Sequence, residues 1–136
     1  MKVGFYKVTV VCLGLILAGA ARPAPPPIAQ AEIAYLLTFV EQSGCAFNRN
    51  GSWYDSKRAR EHLHTKYEAL LAAHHVDTAE DFIAKAGSQS SLSGRAYLVR
   101  CGEGPVTPCS QWLKEELLRF RSQGWASPEI PDIELR

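Results

Sequence analysis

The sequence carries almost no net charge. Fifteen lysines and arginines stand against 14 aspartates and glutamates over 136 residues. A chain this close to neutral has no bulk attraction for nucleic acid or an anionic membrane, so any basic site must be a local patch. It has no C-x-x-C pair, which weighs against structural zinc. It has neither G-x-S-x-G nor S-x-x-K, the settings in which a serine is commonly activated. It also lacks an internal repeat. Its longest apolar run, "VTVVCLGLILAGA", falls short of the roughly 20 residues that a membrane-spanning helix needs.

That run instead reads as the core of a secretory signal peptide over residues 1–21. Lys2 and Lys7 form a positive leader, and "AGAA" supplies small residues for cleavage near Ala20 or Ala21. Cleavage leaves 13 basic and 14 acidic residues and a periplasmic or secreted protein without a membrane span. It also removes Cys12. Of the remaining cysteines, Cys45 and Cys101 are expected to pair, because each sits in an apparent short strand in an oxidising compartment. Cys109 is then the spare thiol. A Cys101–Cys109 bridge is the rival, since "GEGPVTP" between them can turn back.

Residues 22–27 form a Pro/Ala-rich linker, which resists helix. A single domain is expected over 28–123 and a loosely held tail over 124–136. Ala29, Ile33, Leu36, Leu37 and Val40 share one helical arc, which should stop at Gly44. Asn50-Gly51 is a hairpin turn between "CAF" and "SWY". Asp55 or Ser56 caps a helix to about Ala73, and Asp77–Glu80 has capping-box spacing for another. "RAYLVRC" is a strand, "GEGPVTP" a turn, and "SQWLKEELLRFRS" a last helix with Leu113, Leu117 and Phe120 as its stripe. The expected fold is α+β, about four helices packed on a small antiparallel sheet.

Lys66 breaks the pattern. It falls in the same arc as Ala59, Leu63 and Leu70, where the helical period calls for an apolar residue. A buried ammonium is costly unless paired, and its pKa tends to fall. The ordinary account is a stem that lies over the core with its head in water, or a pair with Glu80. His62 is one turn earlier and Arg58 one turn before that, giving a cationic strip. Arg49, at the hairpin turn, can clasp an anion with its fork. His62 and His64 face different ways, and His74-His75 are adjacent, so no metal is expected. Trp53 and Tyr54 can stack a ring, but strand aromatics more commonly fill cores.

The motifs "FNRNG", "AREHLHTK", "DTAEDFI" and "SQSSLSGRAYLV" together resemble the YfeK-like family of small secreted bacterial proteins, a domain of unknown function. The likeness spans about Phe47 to Val99. It implies a periplasmic location and supplies no activity, cofactor or catalytic residue. The shared positions with evident structural work include the Asn-Gly turn, the Asp77–Glu80 cap and the apolar Phe47, Leu63, Phe82, Ile83 and Tyr97. Those polar without such work are Arg49, His62, Lys66, Ser90 and Ser91. If hairpin, helix and serine loop meet, these five surround one pocket. The leading expectation is a non-enzymatic module that needs no cofactor and binds an anionic group on a small ligand, an envelope polymer or an envelope protein. A hydrolase using Ser90 or Ser91, with His62 or Lys66 as base, is the second. A purely structural polar network is the third.

Overall fold

The computed structural model describes residues 23–124. The expected signal peptide and nearly all of the expected tail lie outside them. Helix α1, Pro27–Gln42, starts on prolines, whose fixed φ suits a first turn and whose missing N–H costs nothing there. Its buried face is Ala29, Glu32, Ile33, Leu36, Leu37 and Val40. The apolar members follow the expected arc. Glu32 is the addition, only 6% exposed, and its carboxylate accepts two hydrogen bonds from Arg121 at 2.7 and 2.8 Å.

Strands β1 (Ala46–Arg49) and β2 (Ser52–Tyr54) form the hairpin. Asn50 and Gly51 turn it with φ of 53° and 88°, the doubly positive geometry that Asn-Gly favours. Asn48 Oδ1 accepts the Gly51 N–H at 3.1 Å. Helix α2, Ser56–Ala72, is capped by Asp55, which accepts the Arg58 N–H at 2.8 Å.

Helix α3, Ala79–Phe82, runs on into a π-helical turn, Ile83–Gly87. Its capping box sits one residue later than Asp77–Glu80. Thr78 is the cap and Asp81 its reciprocal partner. The Asp81 carboxylate accepts the N–H of both Asp77 and Thr78, while Glu80 is taken by Arg121 at 2.6 Å. Ala79, Phe82, Ile83 and Ala86 are buried as their spacing implied. Gly87 permits a close approach. A Cβ there would lie 2.8 Å from Leu113 Cδ1.

Strand β3 is Leu98–Arg100, and β4, Thr107–Pro108, is a short strand where only a turn was expected. The sheet order is β2-β1-β3-β4, antiparallel throughout. Helix α4, Cys109–Ser122, closes the chain's described part and buries Leu113, Glu116 and Leu117. Phe120 is only half-buried. It stacks on Tyr35 with ring centroids 4.0 Å apart. Four helices against a four-stranded antiparallel sheet make the fold α+β. The largest fully buried side chains come from α1, α3 with its π turn, and α4: Phe82, Ile33, Leu36, Ile83, Leu113 and Leu117.

Cys45 and Cys101 are bonded across the ends of β1 and β3, 56 residues apart in sequence. Cys109 is free and buried. Closing a loop of that length in the unfolded chain contributes about 4 kcal/mol in the chain-entropy model. Urea unfolding with and without reductant should therefore show a loss of that order. A loss below about 1 kcal/mol would contradict a bridge that acts through the unfolded state.

Candidate functional site

The register of β1 on β3 builds the site. Phe47 lies opposite Val99, and Asn48 opposite Leu98. One step further, the same register sets Arg49 beside Tyr97. Side chains alternate between the faces of a strand, so Arg49 and Tyr97 share the face on which Phe47 and Val99 are buried. Helix α2 packs on β1, and it brings His62 and Lys66, one turn apart, over that face.

The four side chains touch. Arg49 Nη1 lies 2.9 Å from His62 Nδ1 and 3.3 Å from Nε2. Nearness to both nitrogens places the guanidinium against the ring rather than along one lone pair. His62 Nε2 is 3.0 Å from Tyr97 Oη. Lys66 Nζ donates to Tyr97 Oη at 3.3 Å and to the Gln89 carbonyl at 2.8 Å, and it sits 4.9 Å from the Tyr97 ring centre. The expected Lys66–Glu80 pair does not form, because Glu80 belongs to Arg121.

Among the described residues, Arg49, His62 and Lys66 make no salt bridge. The consequence is visible in their protonation. His62 is held below the ordinary histidine pKa by burial first, then by the charges of Arg49 and Lys66. Lys66 is lowered by burial and by Arg49. Tyr97 is raised chiefly by burial, which outweighs the opposing pull of Arg49.

A cavity of about 300 Å³ opens beside this cluster, between the hairpin and α2. Arg49, His62 and Tyr97 line it, with Tyr54, Arg58 and Glu61. Phe47, Ala59, Leu63 and Cys109 give it an apolar floor. The Cys109 thiol is pushed up to about 12 by burial, so it stays protonated and behaves as an apolar wall. The guanidinium carbons of Arg49 and Arg58 each lie 5.5 Å from the Tyr54 ring centre. Lys66 is not on the wall. It stands behind Tyr97 and ties α2 to the segment after the π turn.

A profile of a family of unknown function (DUF5329) matches residues 27–121. The chain belongs to that family. The match takes in every described helix except the last residue of α4, together with all four strands and the whole cavity wall. No curated protein and no solved structure matches the chain. The disulfide suits an oxidising compartment. Among the described residues no helix is long and apolar enough to cross a membrane. Both features are compatible with a secreted protein.

The serines stand apart from the cavity. Ser90 is 4% exposed. Its Oγ accepts from Asn50 Nδ2 at 3.3 Å and lies 3.4 Å from the N–H groups of Leu92 and Ser93. Ser93 Oγ donates back to Asn50 Oδ1 at 2.5 Å. The serine loop is thus latched to the hairpin turn through Asn50. Ser91 is exposed. Among the described residues neither Ser90 nor Ser91 hydrogen-bonds His62 or Lys66, the pairing that a serine nucleophile requires. Trp53 is not in the core. It is 42% exposed on the sheet's outer face, with the Arg100 guanidinium 4.9 Å from its ring centre.

Sequence reasoning passed over Tyr97 as an apolar core position, yet its hydroxyl joins His62 to Lys66. The available signal was the hydroxyl itself, since a buried phenol needs a polar partner. Tyr54, offered with Trp53 as a stacking ring, is on the cavity wall, whereas Trp53 is not, and the role of Asn50 beyond its turn was not foreseen. Ser90→Ala should destabilise the fold by about 1–2 kcal/mol, because it removes the buried acceptor that ties the loop to Asn50. Ser91→Ala should stay within about 0.5 kcal/mol of wild type. Urea unfolding of both variants checks this, and equal effects would contradict the latch.

Proposed function

We propose that this protein is a non-enzymatic binding module of the bacterial envelope, which holds the anionic group of a ligand in the cavity between the hairpin and α2. The observation that carries this reading is a chain of Arg49, His62, Tyr97 and Lys66, two fixed cations and a histidine, without a salt-bridge partner among the described residues. Half-buried positive charge is costly when unpaired. An anion supplied from outside removes that cost. The resemblance to the YfeK-like proteins and the Cys45–Cys101 bridge support a periplasmic location.

The chemistry assigns unequal roles. Arg49 is the contact group, since it lines the cavity and its Nε and Nη2 make no hydrogen bond among the described residues. Its planar fork suits a carboxylate or phosphate. His62 sets the pH response. Without ligand it is biased to the neutral form, and a bound anion favours the imidazolium. Binding then takes up a proton, so affinity rises as pH falls toward the depressed pKa of unliganded His62. Lys66 holds Tyr97 and the Gln89 carbonyl and thereby positions the wall.

Acetate at constant ionic strength is the simplest probe. Amide shifts of residues 49, 62 and 97 should move on titration, and more steeply at pH 5.5 than at 7.5. Arg49→Gln should weaken binding by about tenfold or more, the worth of a charge-assisted pair. Binding that ignores Arg49→Gln, or that weakens as pH falls, would contradict the reading.

A further inference from the structure

The cavity wall says more about the ligand than its charge. Two arginines, Arg49 and Arg58, and one glutamate, Glu61, line it. Before a ligand binds, with His62 biased to the neutral form, these groups carry one net positive charge, which suits a monoanion. A phosphate dianion would bring a second negative charge toward Glu61, whose carboxylate has no ion-pair partner among the described residues. Below the charged rim the lining changes character. Phe47, Leu63 and Cys109 are each less than a tenth exposed, and with Ala59 they offer an apolar floor that a bare inorganic ion cannot use.

The volume limits the rest. About 300 Å³ is at the lower end of small-molecule cavities and admits a single ring or a short branched chain. The guanidinium groups of Arg49 and Arg58 lie over the Tyr54 ring, and their planes are cationic surfaces on which a flat group can stack.

Resting on the anion-binding reading above, we propose that the cavity is a site for a small monocarboxylic acid with a compact aromatic or branched aliphatic body. The carboxylate meets Arg49 at the rim, beside His62 and Tyr97, and the body covers Leu63, Ala59 and Phe47. The apolar contact supplies most of the affinity, and the arginine supplies orientation and the choice of an acid over its neutral analogues.

Phenylacetate, acetate and inorganic phosphate, titrated in parallel into the disulfide-intact protein and followed by amide shifts, test this. Burial of the ring should make phenylacetate bind about tenfold or more tightly than acetate, and phosphate should bind no better than acetate. Phenylacetamide, which keeps the ring and lacks the charge, should bind at least about tenfold more weakly than phenylacetate. Ala59→Phe, which fills the floor from α2, should weaken phenylacetate about tenfold and leave acetate within about threefold. Arg49-dependent binding in which phenylacetate is no tighter than acetate, or phosphate is tightest, would overturn the ligand class while leaving the anion site standing. Binding of none of the anions in an Arg49-dependent way would overturn both.

Discussion

The arrangement depends on the pairing of β1 with β3. The Cys45–Cys101 bridge clamps one end of that pair, and the register then runs through Phe47–Val99 to Arg49 beside Tyr97. A shift of one residue would send Arg49 to the outer face, where Trp53 and Arg100 sit. The disulfide therefore lies outside the cavity but constrains its geometry. The other end of the pair is held by different means. Asn50, at the hairpin turn, is latched to Ser90 and Ser93, and Lys66 grips the Gln89 carbonyl. Between the clamp and the latch, the sheet presents a cationic rim to α2.

The fold treats its charges in two contrasting ways. Where α1, α3 and α4 meet, each buried carboxylate has an arginine partner. Arg121 bridges Glu32 and Glu80, and Arg119 and Tyr35 both engage Glu116. Glu32 and Glu116 are buried, and removing the arginine partner of either would leave an uncompensated charge. Where α2 meets the sheet, Arg49, His62 and Lys66 lean on one another and on Tyr97. The chain pairs its buried carboxylates on one side and leaves a cluster without a salt bridge on the other, and this contrast is what supports the anion-binding proposal. Perturbed titratable groups gathered at a cleft are a recognised sign of a binding or reacting site.

Much of this was legible in the sequence. The α1 arc, the Asn-Gly turn and the Cys45–Cys101 pairing follow from local rules of period, backbone freedom and compartment. Lys66 was visible as an outlier because helical period alone put a charge among apolar residues. Its true partners were not, since the Gln89 carbonyl and the Tyr97 hydroxyl come from segments more than 20 residues away. The one-residue shift of the α3 cap was hidden because Asp77–Glu80 and Thr78–Asp81 have the same spacing, and Arg121, far along the chain, takes Glu80 out of the competition. Strand β4 owes its existence to pairing with β3 rather than to its own two residues. Ser90 and Ser91 are neighbours with opposite burial, a difference set by the path of the loop.

Among the described residues the charge around His62 has no anionic partner. The unfolding free energy of wild type minus that of His62→Gln, followed from pH 8 to pH 5 in chloride buffer, tests it. A histidine whose folded pKa is depressed contributes stability above its unfolded value of about 6.5, and that contribution is lost as pH falls toward the folded value. The account predicts that wild type loses stability relative to the variant as the solution is acidified through that range. A wild type that gains relative stability on acidification would mean that a carboxylate, Glu61 being the nearest candidate on the cavity wall, already satisfies the cluster, and the case for an external anion would fall.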